Sequence, residues 1–164
     1  MRFRRTPVPA VVKDLPLEPG ERRAAWALTP AGEAVVATDR ALHLPGVEPL
    51  AWEDMERASF AAPVLTVIEL TEREGSGQRH VVELDLSSGT DLPAVVRTRV
   101  SASVAWSSRV RLVPQGAVRI VGRRRAGREV LDWQLVFDQD TDPADPALRA
   151  QAEQHLEAAR RTIG

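Results

Sequence analysis

The residues best suited to chemistry in this chain are arginines. Seven of them, and no acid, fall within residues 109–128, whereas residues 138–145 hold four acids and no base. A guanidinium is planar, permanently charged, and presents a fork of donors that matches carboxylate or phosphate oxygens two at a time. Strand alternation sets Arg109 and Arg111 on the face opposite Val110 and Leu112, and Arg119 opposite Val118 and Ile120, so these side chains form one cross-strand cluster. Arg123, Arg124, Arg125 and Arg128 follow in the adjoining turn, where backbone amides near Gly127 add donors for an oxyanion. The candidate anion-binding residues are therefore Arg109, Arg111, Arg119, Arg123, Arg124 and Arg125. The competing expectation, which we favour, is neutralisation by Asp138, Asp140, Asp142, Asp145, Glu153 and Glu157 on neighbouring elements, since oppositely charged blocks close in sequence pair on the surface.

Other chemistry finds little support. His43, His80 and His155 fall on different expected elements, none with a metal-ligand partner one helical turn away. His43 alternates with Leu42 and Leu44 and is expected on the solvent face of its strand. Gly75-Ser76-Gly77 reads as a hairpin turn, not as a strand-to-helix elbow exposing a nucleophile. Gly116, Gly122 and Gly127 are too far apart for a phosphate loop. Trp26, Trp52, Trp106 and Trp133 read as core anchors rather than a base-stacking platform. We expect no catalytic residue, cofactor or metal; a hydrolase would have to be built on carboxylates such as Glu53, Asp54 and Asp85 converging in a deep polar pocket.

The chain has 164 residues, with 22 Lys plus Arg against 23 Asp plus Glu and no cysteine. That length suits one domain with its own core. The absence of thiols excludes disulfides, thiol catalysis and thiolate metal sites, and a net charge of -1 argues against a general polyanion binder and makes nucleic acid an improbable partner. Arg2, Arg4 and Arg5 precede Pro7 and Pro9 without an apolar stretch long enough to be exported or to span a bilayer, so a cytoplasmic protein is expected.

The positioning elements follow from turn residues and hydrophobic period. Residues 1–20, with Pro7, Pro9, Pro16 and Pro19, read as an extended arm, not a helix, with 8–12 laid along a sheet edge. Period-two patterning then predicts short strands near 22–28, 33–38 and 41–44, the first with Ala24, Trp26 and Leu28 on one face. Further strands are expected at 56–60, 64–70 and 78–86, the last two joined by a hairpin at 74–77. Leu92, Val96, Val100 and Val104 recur every four residues behind a cap at Thr90 or Asp91, predicting a helix over 91–105 despite its β-branched content. Strands at 109–113, 117–122 and 129–137 make a meander, and a helix begins after Asp142-Pro143 or Asp145-Pro146 with Leu148, Ala152, Leu156, Ala159 and Ile163 on its apolar face.

Pro19-Gly20-Glu21-Arg22, the hairpins carrying Trp26 and residues 41–44, and Pro49-Leu50-Ala51-Trp52-Glu53-Asp54-Met55 resemble the bacterial pleckstrin-homology-like (PH-like) domains. Arg97-x-Arg99-Val100, Ser103-Val104, Arg123-Arg124-Arg125, Leu131-x-Trp133 and Asp142-Pro143-x-Asp145-Pro146 resemble a conserved protein family of high-GC actinobacteria with no assigned reaction. The first resemblance implies a strongly bent sheet, or partly open barrel, closed at one corner by a helix. The loop in which lipid-binding members carry bases is here Thr29-Pro30-Ala31-Gly32-Glu33, without a base, so inositol phosphate binding does not follow.

The expectation is an α+β protein: an arm at 1–20, a PH-like antiparallel sheet with corner helix at 21–105, and a three-stranded meander with C-terminal helix at 106–164, packed as one unit with what precedes it. Its expected function is a non-catalytic intracellular module for a protein or peptide partner. The alternative is an anion-binding surface for a phosphate of lipid or nucleic acid on the arginine-rich meander.

Overall fold

The computed structural model describes residues 6–69, 80–125 and 128–163. The chain divides into two compact units, the first carrying the described residues up to Ser101 and the second those from Ala102 onward. Three antiparallel sheets and a C-terminal helix make it an α+β protein.

The first unit holds two of the sheets. Strands β1 (Arg23–Leu28), β2 (Ala34–Thr38), β3 (Ala41–His43), β4 (Leu50–Ala51) and β8 (Ser88–Gly89) run in the order β4-β3-β2-β1-β8, and β5 (Met55–Ala61), β6 (Val64–Glu69) and β7 (Val81–Asp85) form the other sheet. Ala25, Ala27, Val35, Ala37 and Leu42 from the first sheet, Met55, Leu65 and Val67 from the second, and Leu92, Val96 and Val100 from helix α2 (Leu92–Ser103) share one core. The four-residue spacing of these last three side chains puts them on one helical face, so burial outweighs the β-branched preference for a strand. Asp91 occupies the cap position, its carbonyl accepting the Val95 amide at 3.2 Å. The Thr90 hydroxyl is committed elsewhere: it accepts from Trp26 N at 2.9 Å and donates to Trp26 O at 3.1 Å, extending the sheet beyond β8. Gly89 is required in that strand, because a Cβ there would lie 2.4 Å from the Trp26 carbonyl oxygen.

Ala25 and Ala27 join the core just described; opposite them Trp26 and Leu28 share one face of β1, as alternation expects, and Trp26 is buried there. That face is also apolar because the N-terminal arm covers it. The arm contains a one-turn helix, α1 (Ala10–Lys13), and Val12 is completely buried against Trp26 and Val36, so the segment lies across the sheet instead of along its edge. One turn of helix leaves carbonyls without intrahelical partners. Arg23 supplies donors, Nε to Val12 O at 3.0 Å and Nη2 to Lys13 O at 2.7 Å and Leu15 O at 3.0 Å.

The second unit is the meander β9 (Val104–Arg111), β10 (Ala117–Arg123) and β11 (Asp132–Phe137), with α3 (Pro146–Ile163) against one face. Leu112, Val118, Leu148 and Ala152 form its core, with Val110, Leu135 and Phe137 packed around them. Of the two proline starts offered by the sequence, Asp145-Pro146 is used: Asp145 Oδ1 accepts from Ala147 N at 2.9 Å and Leu148 N at 3.2 Å, while Asp142 closes a turn through Ala144 N. Gln151 fastens α3 to the chain after β9, accepting from Val113 N at 2.9 Å and donating to Val113 O at 2.6 Å. β9 begins five residues before the expected 109, and β11 begins at Asp132 instead of 129. The earlier start brings Trp106 into the ladder, where it pairs with Gly122, itself opposite Trp133. A Cβ on Gly122 would lie 3.0 Å from Leu131 and 3.2 Å from Trp133, so bare backbone is what leaves room for these side chains.

The expected hairpin at 74–77, strand residues 70, 78 and 79, and the turn at 126–127 lie outside the described residues. Among the described residues, no helix is long and apolar enough to cross a membrane.

Candidate functional site

The register of the meander decides which arginines meet. Arg109 pairs directly with Arg119, and Arg111 with Ala117, so all of Arg109, Arg111 and Arg119 project from the face opposite α3, and all are exposed. This is the cross-strand cluster expected from alternation. Arg123 is not part of an open surface: only 3% exposed, it donates from Nε to Gln134 Oε1 at 3.1 Å and from Nη1 to Ser103 Oγ at 2.6 Å. The neighbouring Arg124 amide donates to Ser103 O at 2.8 Å, tying the end of α2 to the bulge between Gly122 and Arg123. Arg125 is paired with Asp132, which also faces Arg128 at 3.6 Å. The six candidates thus separate into an exposed group on the strand face and residues gathered around the start of β11. The Gly127 amide lies outside the described residues.

Among the described residues, neutralisation by the acidic segment is realised at Arg109. Asp138 accepts from both Nε and Nη2 of Arg109, and this hydrogen bonding, with the carboxylate's charge, holds the guanidinium above its ordinary pKa. Asp142 and Asp145 serve the turn and the helix cap, and Glu153 and Glu157 face Arg149 at 3.3 Å and Arg160 at 3.8 Å within α3. Backbone amides and helical neighbours are nearer to these acids than the strand arginines are. Arg111 and Arg119 make no hydrogen bond or ion pair among the described residues.

A cleft of ≈ 570 Å³ opens at the Arg111 end of this face, lined by Arg109, Arg111, Asp138 and Asp140, with the turn Pro114-Gln115-Gly116 and Thr141 completing it. Its floor is fixed. Thr141 Oγ1 accepts from Ala117 N at 2.9 Å and donates to Ala117 O at 3.2 Å, and Gly116, at φ +99°, comes so close that a Cβ would stand 2.5 Å from that oxygen. The Thr141 hydroxyl is thereby committed to backbone. What remains to act on a ligand is charge of both signs, arginines on β9 and carboxylates in the segment after β11.

The histidines are placed differently from one another. His43 is buried, correcting the expectation of a solvent-facing ring: its Nε2 lies 2.8 Å from Glu21 Oε1, which also accepts the Thr38 hydroxyl. Two-fold alternation failed there because β3 is buried along its whole length. Burial pushes the Glu21 carboxyl upward, but hydrogen bonds from His43, Thr38 and the Glu18 amide, with the charge of His43, bring it below its ordinary value. His80 faces Glu69 at 3.0 Å, and His155 is exposed on α3. Among the described residues, no group of His, Asp and Glu is placed to hold a metal ion. Glu53 is buried in the turn Trp52–Asp54, whereas Asp85 is exposed at the end of β7.

The sequence reading missed Asp132, Thr141 and Gln151. The first carried a legible signal, being the first aspartate after the arginine run; the other two act through backbone groups, which leave no mark in a side-chain pattern. Comparison with family models, curated proteins and solved structures finds no match to this chain.

Proposed function

We propose that the chain is a non-catalytic protein- or peptide-interaction module on a PH-like scaffold, working inside the cell. The observation that carries this reading is the cleft beside β9: it offers guanidinium and carboxylate groups for recognition, while its Thr141 hydroxyl is held by Ala117. Polar groups positioned by a strand and the adjoining turns suit the binding of another chain. The bent-sheet resemblance is supported by two antiparallel sheets and a helix sharing one core. The test is affinity capture from a bacterial lysate at low and high salt, followed by titration of the captured partner in purified form. A one-to-one complex that survives high salt supports the reading, and failure of every captured protein to bind once purified overturns it.

A second reading, an anion-binding surface for a lipid or nucleic-acid phosphate, is favoured by the unpaired state of Arg111 and Arg119 among the described residues. Two phosphates neutralised on duplex DNA would give a slope of about -1.8 in log affinity against log salt. Changing Arg111→Ala and Arg119→Ala together should abolish it. A binding curve indifferent to salt excludes this alternative.

A further inference from the structure

We infer that the outer edge of β9 is a docking strand for an extended acidic segment whose acids stand at alternate positions. The inference rests on the interaction-module reading and names the chemistry of its partner. β9 has eight residues and is paired through β10 alone among the described residues; none of them carries a further hydrogen bond on its other side. An edge of this length presents a row of backbone donors and acceptors that an incoming extended chain can satisfy.

The side chains specify what that chain should carry. Ser107, Arg109 and Arg111 alternate on the exposed face, while Trp106, Ser108 and Val110 alternate on the face toward α3. An added strand places its own side chains opposite these, at the spacing where opposite charges attract and like charges repel. Within the meander, Arg109 already stands opposite Arg119, a like-charge pair of which Arg109 alone is paired with a carboxylate, that of Asp138. Carboxylates at two alternate positions of the incoming strand would face Arg109 and Arg111, relieving that repulsion, and the residue between them would turn an apolar group toward Val110. Arg111, at the end of β9, also lines the cleft. A basic or uniformly apolar strand has no such complement on this edge.

The test uses the full chain and three fluorescein-labelled peptides: one alternating Glu and Val, one of the same composition with Glu and Val in blocks of two so that no two acids stand two residues apart, and one alternating Lys and Val. Anisotropy should show the alternating acidic peptide binding about tenfold more tightly than the block peptide, as two cross-strand ion pairs with good geometry allow. The Lys peptide should not bind. Methylating alternate backbone amides, tried in each of the two phases, should abolish binding in one phase only. The Arg109→Gln, Arg111→Gln variant should lose the discrimination while keeping its circular-dichroism spectrum and thermal midpoint within a few degrees.

Equal affinity for alternating and block peptides would overturn the docking strand, as would absence of binding to either or indifference to methylation in both phases. These results leave the interaction-module reading standing if a purified partner still binds the double variant at wild-type affinity. That reading fails separately, when no purified partner binds the native chain at all.

Discussion

Trp106 and Trp133 meet on either side of Gly122, one from each neighbouring strand, with ring centroids 5.6 Å apart and planes inclined at 61°. Edge-to-face contact of this kind adds to the area the rings bury, and here the residue between them must have no side chain. Gly122→Val should separate the rings or displace Leu131, destabilising the chain by about 1 to 3 kcal/mol, the usual range for overpacking. Denaturant unfolding followed by tryptophan fluorescence measures it, and an unchanged midpoint would contradict the steric argument.

Fastening of α3 separates two kinds of contact. Leu148 is in the core, so Leu148→Ala should cost about 2 to 5 kcal/mol through lost burial and the cavity left behind. Gln151 makes two hydrogen bonds to Val113, but Val113 is exposed and water replaces them, so Gln151→Ala should cost only about 0.5 to 1.5 kcal/mol. Equilibrium unfolding of the two variants tests the ordering.

Acid sensitivity should trace in part to Glu21. Its folded-state carboxyl lies below the ordinary value of 4.5, so the stability it contributes is fully present above that pH and is lost as pH falls through the folded value. The difference in unfolding free energy between wild type and Glu21→Gln should therefore shrink as pH falls below 4.5. A difference that instead grows on acidification would refute the assignment.

The N-terminal arm offers a clean kinetic assay, because Lys13 is the only lysine in the chain. A lysine-specific protease can cut at that residue alone. Arg23→Ala removes the three hydrogen bonds that hold residues 12–15, and cleavage at Lys13 should accelerate several-fold. An unaltered cleavage rate would mean that burial of Val12 holds the arm without help.

Strong periodicity was the legible part of the fold. The four-residue spacing of Leu92, Val96 and Val100 was enough to place α2, the apolar spacing with two possible Asp-Pro starts was enough to place α3, and alternation was enough to put Arg109, Arg111 and Arg119 on one face. Alternation misled at β3, which is buried along its whole length, so the burial of His43 could not be read from Leu42 and Leu44. The arginine run was visible but its sorting was not. Whether Arg123 is buried or Arg119 open depends on strand register, and whether Asp142 or Asp138 meets a guanidinium depends on which acids the turns and caps claim first.

The covering of β1 and β2 by the arm has a practical side. A shortened chain starting at Gly20 would retain every strand, yet the indole of Trp26 and the methyls of Val36 would lose their lid and turn toward water. Such a fragment should be prone to self-association, and a screening campaign that trimmed the front for convenience would be handling a stickier molecule than the native one.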